Sequence, residues 1–170
     1  RLACRNSSFS GELLEKACYA FGGFGKKIAV PYPSFSMYET YALLADSTPA
    51  PYPLTKESLI DAKSVINFCA QQHPALLIIC NPNNPTGNFN ELAVMEDILK
   101  NVDCPVIMDE AYMEFVDPND KFGSLSTLSL LDTYDNFLCL RTFSKAYGLA
   151  GMRVGYGTGS EELIKKKKKV

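Results

Sequence analysis

Ala75-Leu-Leu-Ile-Ile-Cys80-Asn81-Pro-Asn-Asn-Pro-Thr-Gly87 decides the fold. Its first six residues are apolar without alternation, as in a strand buried on both faces, and the polar turn-formers that follow end it abruptly. Three other runs share this form: Lys27-Ile-Ala-Val30, Pro105-Val-Ile-Met108 and Asn136-Phe-Leu-Cys-Leu140. Between the runs lie stretches with helical spacing at residues 12–21, 58–70 and 91–99. Strand and helix alternating in this way predict βαβ units. The expected class is α/β: a three-layer α/β/α domain with a mostly parallel sheet.

Composition narrows the setting. The chain has 170 residues, 46% hydrophobic and 21% charged, enough for one domain with a substantial core. A net charge of −2 gives no reason to expect nucleic-acid binding, and no stretch is long and apolar enough to span a membrane. The first residues lack the apolar core of a signal peptide. Six cysteines lie scattered without a Cys-x-x-Cys pair, several inside apolar runs. They read as reduced thiols of a cytoplasmic protein. The single histidine, His73, precedes a proline in a polar stretch and reads as a loop residue, so no metal site is expected.

In a parallel sheet, ligands gather at the carboxyl ends of the strands. The residues placed there are Pro31-Tyr-Pro-Ser-Phe-Ser-Met-Tyr38, Asn81 to Gly87, Asp109-Glu-Ala-Tyr112 and Arg141-Thr-Phe-Ser-Lys145. One edge thus receives aromatic rings, amides, a carboxylate, a phenol, hydroxyls and a lysine. A lysine held in a pocket favours its neutral amine, which condenses with an aldehyde. Lys145, leaving an apolar run between hydroxyls, is the candidate. Pyridoxal 5'-phosphate chemistry also needs a carboxylate at the pyridine nitrogen and an anion site for the phosphate. Asp109 supplies the first. Arg153, a planar fork of donors, supplies the second with Thr142 and Ser144.

The four motifs, in this order and spacing, resemble the fold-type I, class I/II pyridoxal-phosphate aminotransferases. Within them the chain is most similar to those acting on histidinol phosphate. The resemblance implies that residues 1–170 form the cofactor-binding large domain. The N-terminal arm and C-terminal small domain of such enzymes would lie outside this sequence. It implies Lys145, Asp109 and Tyr112 as catalytic residues. Lys145 would carry the cofactor and shuttle a proton, and Asp109 would pair with the pyridine nitrogen. Tyr112 and Asn84 would bond the cofactor's phenolic oxygen. Phe35 would stack on its ring, and Thr142, Ser144 and Arg153 would hold its phosphate. Tyr38 is a further candidate near the site, with a cis peptide implied at Asn84-Pro85. The implied partners are a small-molecule amino donor, a 2-oxo acid and a second copy of the chain in a homodimer.

Other readings stand beside these. A decarboxylase of a phosphorylated amino acid shares the architecture, and a non-catalytic remnant would keep the fold without the substrate site. Arg5-Asn-Ser-Ser-Phe-Ser-Gly-Glu12 stands where the family carries a glycine-rich phosphate turn, which leaves Ser7 and Ser8 as weak candidates. Asp109-Glu110 could instead be a solvated pair, and Phe35 and Tyr38 core residues. Gly155-Tyr-Gly-Thr-Gly159 lacks the full dinucleotide fingerprint. Lys165 to Lys169 reads as a solvated helix end.

Overall fold

Residues that alternate along a strand point to opposite faces of its sheet. In the computed structural model, which describes residues 2–7, 10–117, 119 and 123–166, this period of two feeds two separate cores. The chain runs β1 (Leu2–Ser7), α1 (Ser10–Phe21), β2 (Lys27–Tyr32), α2 (Met37–Leu44), β3 (Thr48–Pro53), α3 (Ala62–Gln72), β4 (Leu76–Cys80), α4 (Leu92–Asn101), β5 (Val106–Asp109), β6 (Phe137–Thr142), β7 (Gly155–Ser160) and α5 (Glu161–Lys166). The strands form one sheet in the order β1-β7-β6-β5-β4-β2-β3. The neighbours from β3 to β6 are parallel, whereas β7 runs antiparallel to both β6 and β1. The sheet is therefore mostly parallel, as the continuous apolar runs predict.

Leu76, Ile78, Ile107, Leu138 and Leu140 face one core with α1, α2 and α5. Leu77, Ile79, Val106, Met108, Phe137 and Cys139 face the other with α3 and α4. Each fully buried aliphatic side chain contributes about 1.5–3 kcal/mol. A strand apolar at every position is thus stabilised from both sides, which is why β4 is buried throughout. The result is three layers with helices on both faces.

Several elements depart from the sequence reading. The helix expected at 58–70 begins at Ala62, because the Asp61 carboxylate accepts from the Lys63 amide and caps it there. β3 was not expected: it reads Thr-Pro-Ala-Pro-Tyr-Pro, and proline breaks ladders. It is an edge strand whose prolines alternate. Thr48 and Leu54 donate their amides to the carbonyls of Lys26, just before β2, and of Tyr32 at its end, and the proline nitrogens share the opposite parity, facing away from it. Pro31, inside β2, falls beyond the last residue paired with β4. The glycine-rich stretch at 155–159 is strand β7, not a nucleotide loop. A Cβ on Gly159 would lie 2.3 Å from Leu138 Cδ2 and 2.7 Å from the Phe137 carbonyl oxygen, so only glycine lets β7 lie against β6 here.

His73 is exposed and caps α3 in a left-handed conformation (φ 48°), consistent with its reading as a loop residue. Lys165 is exposed on α5 and pairs with Glu161 (2.7 Å), while Lys167 to Lys169 lie outside the described residues. Among the described residues no helix is long and apolar enough to cross a membrane.

Candidate active site

The carboxyl ends of β4, β5 and β6 open onto a cavity of about 230 Å³, roofed by the first turn of α1 and by α2. Strand parity decides which motif residues reach it. Ile78, Ile107 and Leu140 point to the α1–α2 face, and two residues further on so do Cys80, Asp109 and Thr142. Their immediate neighbours turn the other way. Glu110 and Arg141 lie on the α4 face, buried with Ser126 and Thr127.

Eight residues singled out in the sequence line this one cavity: Phe35, Asn84, Asp109, Tyr112, Thr142, Ser144, Lys145 and Arg153. Tyr38 lines it as well. The structure thus gathers four segments that together span more than a hundred residues of chain. The Asn84-Pro85 bond is cis, as the resemblance implies.

Asp109 lies at the floor and is buried. Its Oδ2 accepts from the Tyr38 hydroxyl (2.8 Å) and its Oδ1 from the Ala111 amide (3.2 Å). Burial raises its pKa above the usual carboxylate range, while the Tyr38 and Ala111 hydrogen bonds pull in the opposite direction. The Tyr38 phenol is pushed well above its ordinary value, first by burial and then by the Asp109 charge. Tyr38 is therefore a buried hydrogen-bond donor and not merely a core ring. Phe35 meets it edge-on, with ring centroids 5.5 Å apart, and is only partly buried. Cys80, below them, has its thiol pushed up to about 12, chiefly by burial.

The wall opposite is made by the end of β6. The Ser144 amide donates to Thr142 Oγ1 (3.2 Å), which itself donates to the Val154 carbonyl (3.4 Å). Ser144 Oγ is buried without a hydrogen-bond partner, an unmet donor in the cavity wall. Ser10 and Gly11, in the first turn of α1, complete this side and bring helix-terminal amides to it. The phosphate-turn candidates Ser7 and Ser8 have side chains outside the described residues.

One expectation fails. Lys145 is exposed rather than buried. β6 ends at Thr142, and Lys145 stands on the bend beyond it with its Nζ 5.1 Å from the Tyr112 ring centroid. No described element covers residues 145–154, all of which are exposed, Arg153 among them.

Sequence reasoning missed the Glu110–Arg141 pair, which holds two of these strand ends together. Glu110 is fully buried and accepts from Arg141 Nη1 (2.9 Å), Ser126 Oγ (2.5 Å), and the Thr127 amide and hydroxyl (both 2.7 Å). Arg141 Nη2 donates to Glu114 (2.8 Å). The solvated reading of Asp109-Glu110 is thereby excluded. Counting parity along Val106 to Glu110 would have separated the two carboxylates. Asn83 was missed similarly. Its Oδ1 accepts from Ser34 (2.6 Å), which ties the loop carrying Phe35 to the one carrying Asn84.

Comparison with known proteins follows the same line. Residues 7–170 match the family described as aminotransferase class I and II. The histidinol-phosphate aminotransferase of Thermoanaerobacter pseudethanolicus is 36% identical over 156 residues, which cover 92% of this chain and 42% of that one. The crystal structure of the histidinol-phosphate aminotransferase from Clostridium acetobutylicum superposes with a TM-score of 0.86 at 26% identity, covering 98% of this chain and 48% of that one. The Sinorhizobium meliloti enzyme in complex with pyridoxal-5'-phosphate has a TM-score of 0.88 at 20% identity, a likeness of fold, over 98% of this chain and 45% of that one. The chain spans less than half the length of these relatives.

Proposed function

This chain belongs to the class I and II aminotransferase family, and from that premise and the cavity's geometry we propose that it is the cofactor-binding portion of a pyridoxal-phosphate-dependent aminotransferase. The amino donor would be histidinol phosphate or a similar amino compound, the acceptor a 2-oxo acid, and the setting histidine biosynthesis. The observation that carries the reading is the convergence of Lys145, Asp109 and the unpartnered Ser144 hydroxyl on one cavity.

The residues present fit the cofactor. Ser144 Oγ is a buried donor lacking an acceptor, and a phosphate oxygen is one. Thr142, Arg153 and the α1 amides of Ser10 and Gly11 stand beside it. At the far side Asp109 keeps acceptor capacity after its two hydrogen bonds, as a carboxylate has about four lone-pair sites. It can therefore take a pyridinium N–H. Asn84 and Tyr112 would donate to the phenolic oxygen, and Phe35 would cover one ring face. When bound, the cofactor supplies an electron sink for a carbanion next to the amino group.

The chain's own residues do the rest. Lys145 Nζ would hold the cofactor covalently, and its amine would be the base that carries a proton between carbon atoms during transfer. Tyr38 orients Asp109, whose carboxylate would keep the ring nitrogen of a bound cofactor protonated. The exposed apolar residues Phe115, Tyr147, Leu149 and Met152 near the cavity mouth support assembly as a homodimer. The free cysteines among the described residues fit a cytoplasmic setting.

The test uses absorbance and turnover together. Purified protein given pyridoxal phosphate should develop the visible absorbance of a lysine-linked cofactor, and Lys145→Ala should abolish it. Absorbance that survives the substitution would overturn the assignment. Transfer of the amino group of histidinol phosphate to 2-oxoglutarate, without carbon dioxide release, separates this reaction from a decarboxylation.

A further inference from the structure

The amino ends of β4 and β5, at the opposite end of these strands from the cavity, carry a second chemical feature. Cys69 lies near the end of α3, which leads into β4, and Cys104 lies between α4 and β5, so both precede the starts of strands. Both line a separate surface cavity of about 440 Å³, with His73 and Asp103. Cys69 is part of the α3–α4 core, and Cys104 packs against that same core. Neither is in a disulfide.

The two thiols are not equivalent. Cys69 is 7% exposed, whereas Cys104 alone among the five cysteines whose burial is described is not buried. The two side chains share one wall of this cavity and pack on the same core. The neighbouring Cys69 side chain holds the Cys104 thiol below its usual pKa, against the effects of burial and Asp103, with the backbone at Cys104 and Leu77 assisting. The Cys104 side chain, together with burial, lifts Cys69. One sulfur is thus reachable and leans towards thiolate, and its neighbour keeps its proton. Cys18, Cys80 and Cys139 are buried, and the thiols of Cys80 and Cys139 are pushed up chiefly by burial, which makes them inert.

We propose that Cys69 and Cys104 form a modification site for peroxide-class oxidants, in which Cys104 is the attacking sulfur and Cys69 resolves it into a disulfide. In the first step the Cys104 thiolate attacks one peroxide oxygen. The O–O bond breaks, Cys104 is oxidised to a sulfenic acid, and the other oxygen leaves as hydroxide and becomes water. In the second step the Cys69 sulfur attacks the sulfenic sulfur. The S–O bond breaks, the oxygen departs as water with the Cys69 proton, and the S–S bond forms. Two thiols and one peroxide give one disulfide and two waters. The bridge ties α3 to the α4–β5 connection, away from the candidate active site.

The experiment needs neither cofactor nor substrate. Native protein is treated with a few equivalents of hydrogen peroxide, alkylated, digested without reduction and read by mass spectrometry. The expected result is one crosslinked peptide pair, containing Cys69 and Cys104, two hydrogens lighter than the free peptides and cleaved by dithiothreitol. Cys104 should be modified roughly ten-fold faster than Cys18, Cys80 or Cys139. In Cys69→Ser the oxidation should stop at a sulfenic acid on Cys104 that dimedone traps. In Cys104→Ser, Cys69 should remain a thiol. Wild-type protein that carries Cys104 to a sulfinic acid without the crosslink would overturn the proposal. So would an unmodified Cys104, or pairing with another cysteine.

Discussion

At the scale of single residues, the candidate site is governed by how Asp109 is buried. Its carboxylate occupies an apolar floor because two donors, Tyr38 and the Ala111 amide, offset the lost hydration only in part. A carboxyl group whose folded pKa is raised binds more protons folded than unfolded. Its destabilising effect is therefore complete above the raised pKa and disappears as pH falls through that value to the ordinary carboxylate range near 3.9. Asp109→Asn should accordingly raise the melting temperature of cofactor-free protein at neutral pH. The gain should vanish in acid, and cofactor binding should be lost. Thermal melts of both proteins across pH check this, and an advantage independent of pH would contradict it. Tyr38→Phe removes the donor while keeping the ring. It should weaken pyridoxal phosphate binding by about ten-fold, as expected for a lost hydrogen bond to a charged group. Equilibrium titration of the cofactor measures it.

At the scale of elements, legibility in the sequence followed the number of cores an element serves. β4, β5 and β6 feed two cores, so their residues up to Cys80, Met108 and Leu140 are apolar and the signal is continuous. β3 and β7 left no such trace. β3 is an edge strand that tolerates proline at alternate positions, and β7 is thinned to glycine because Leu13, Leu138 and Leu140 fill the space beside it. The site was legible where motif residues end a two-core strand, as Asp109 and Thr142 do. It was not legible where the partner comes from elsewhere in the chain. Nothing in Arg141-Thr142 announces that the arginine turns away to Glu110 and Glu114. Nor does local sequence show that Lys145 stays exposed, since exposure depends on what packs over the bend. The β7 glycines give a direct check. Gly157→Ala presses on the flexible ends of Leu140 (2.9 Å) and Leu13 (3.3 Å) with the nearest backbone atom, the Cys139 carbonyl oxygen, at an ordinary 3.8 Å, whereas Gly159→Ala lies 2.7 Å from the Phe137 carbonyl oxygen. Gly159→Ala should destabilise by about 1–3 kcal/mol, the usual cost of overpacking, and Gly157→Ala by less. Chemical denaturation of the two variants would reverse this order if β7 were not pressed against β6.

At the scale of the molecule, part of the exposed apolar surface lies on the segments that follow Lys145 and Tyr112. Tyr147 is 54% exposed, Leu149 45% and Met152 67%, all on the segment that follows Lys145, while Phe115 (60%) follows Tyr112. Scattered apolar side chains are ordinary on a protein surface, but a cluster beside a ligand cavity marks a surface that another surface covers. In the homodimer proposed above, a second copy of the chain would supply such a cover and would also shield Lys145 from water. Purified protein should then sediment with a mass above the 18.8 kDa of one chain, in a concentration-dependent manner. Charging the cluster with Leu149→Glu and Met152→Glu should weaken association at least ten-fold, about 1.4 kcal/mol, while the melting temperature of the separated chain holds. Sedimentation as a single chain at every concentration, with these side chains intact, would show that the surface beside Lys145 is not covered by a copy of itself.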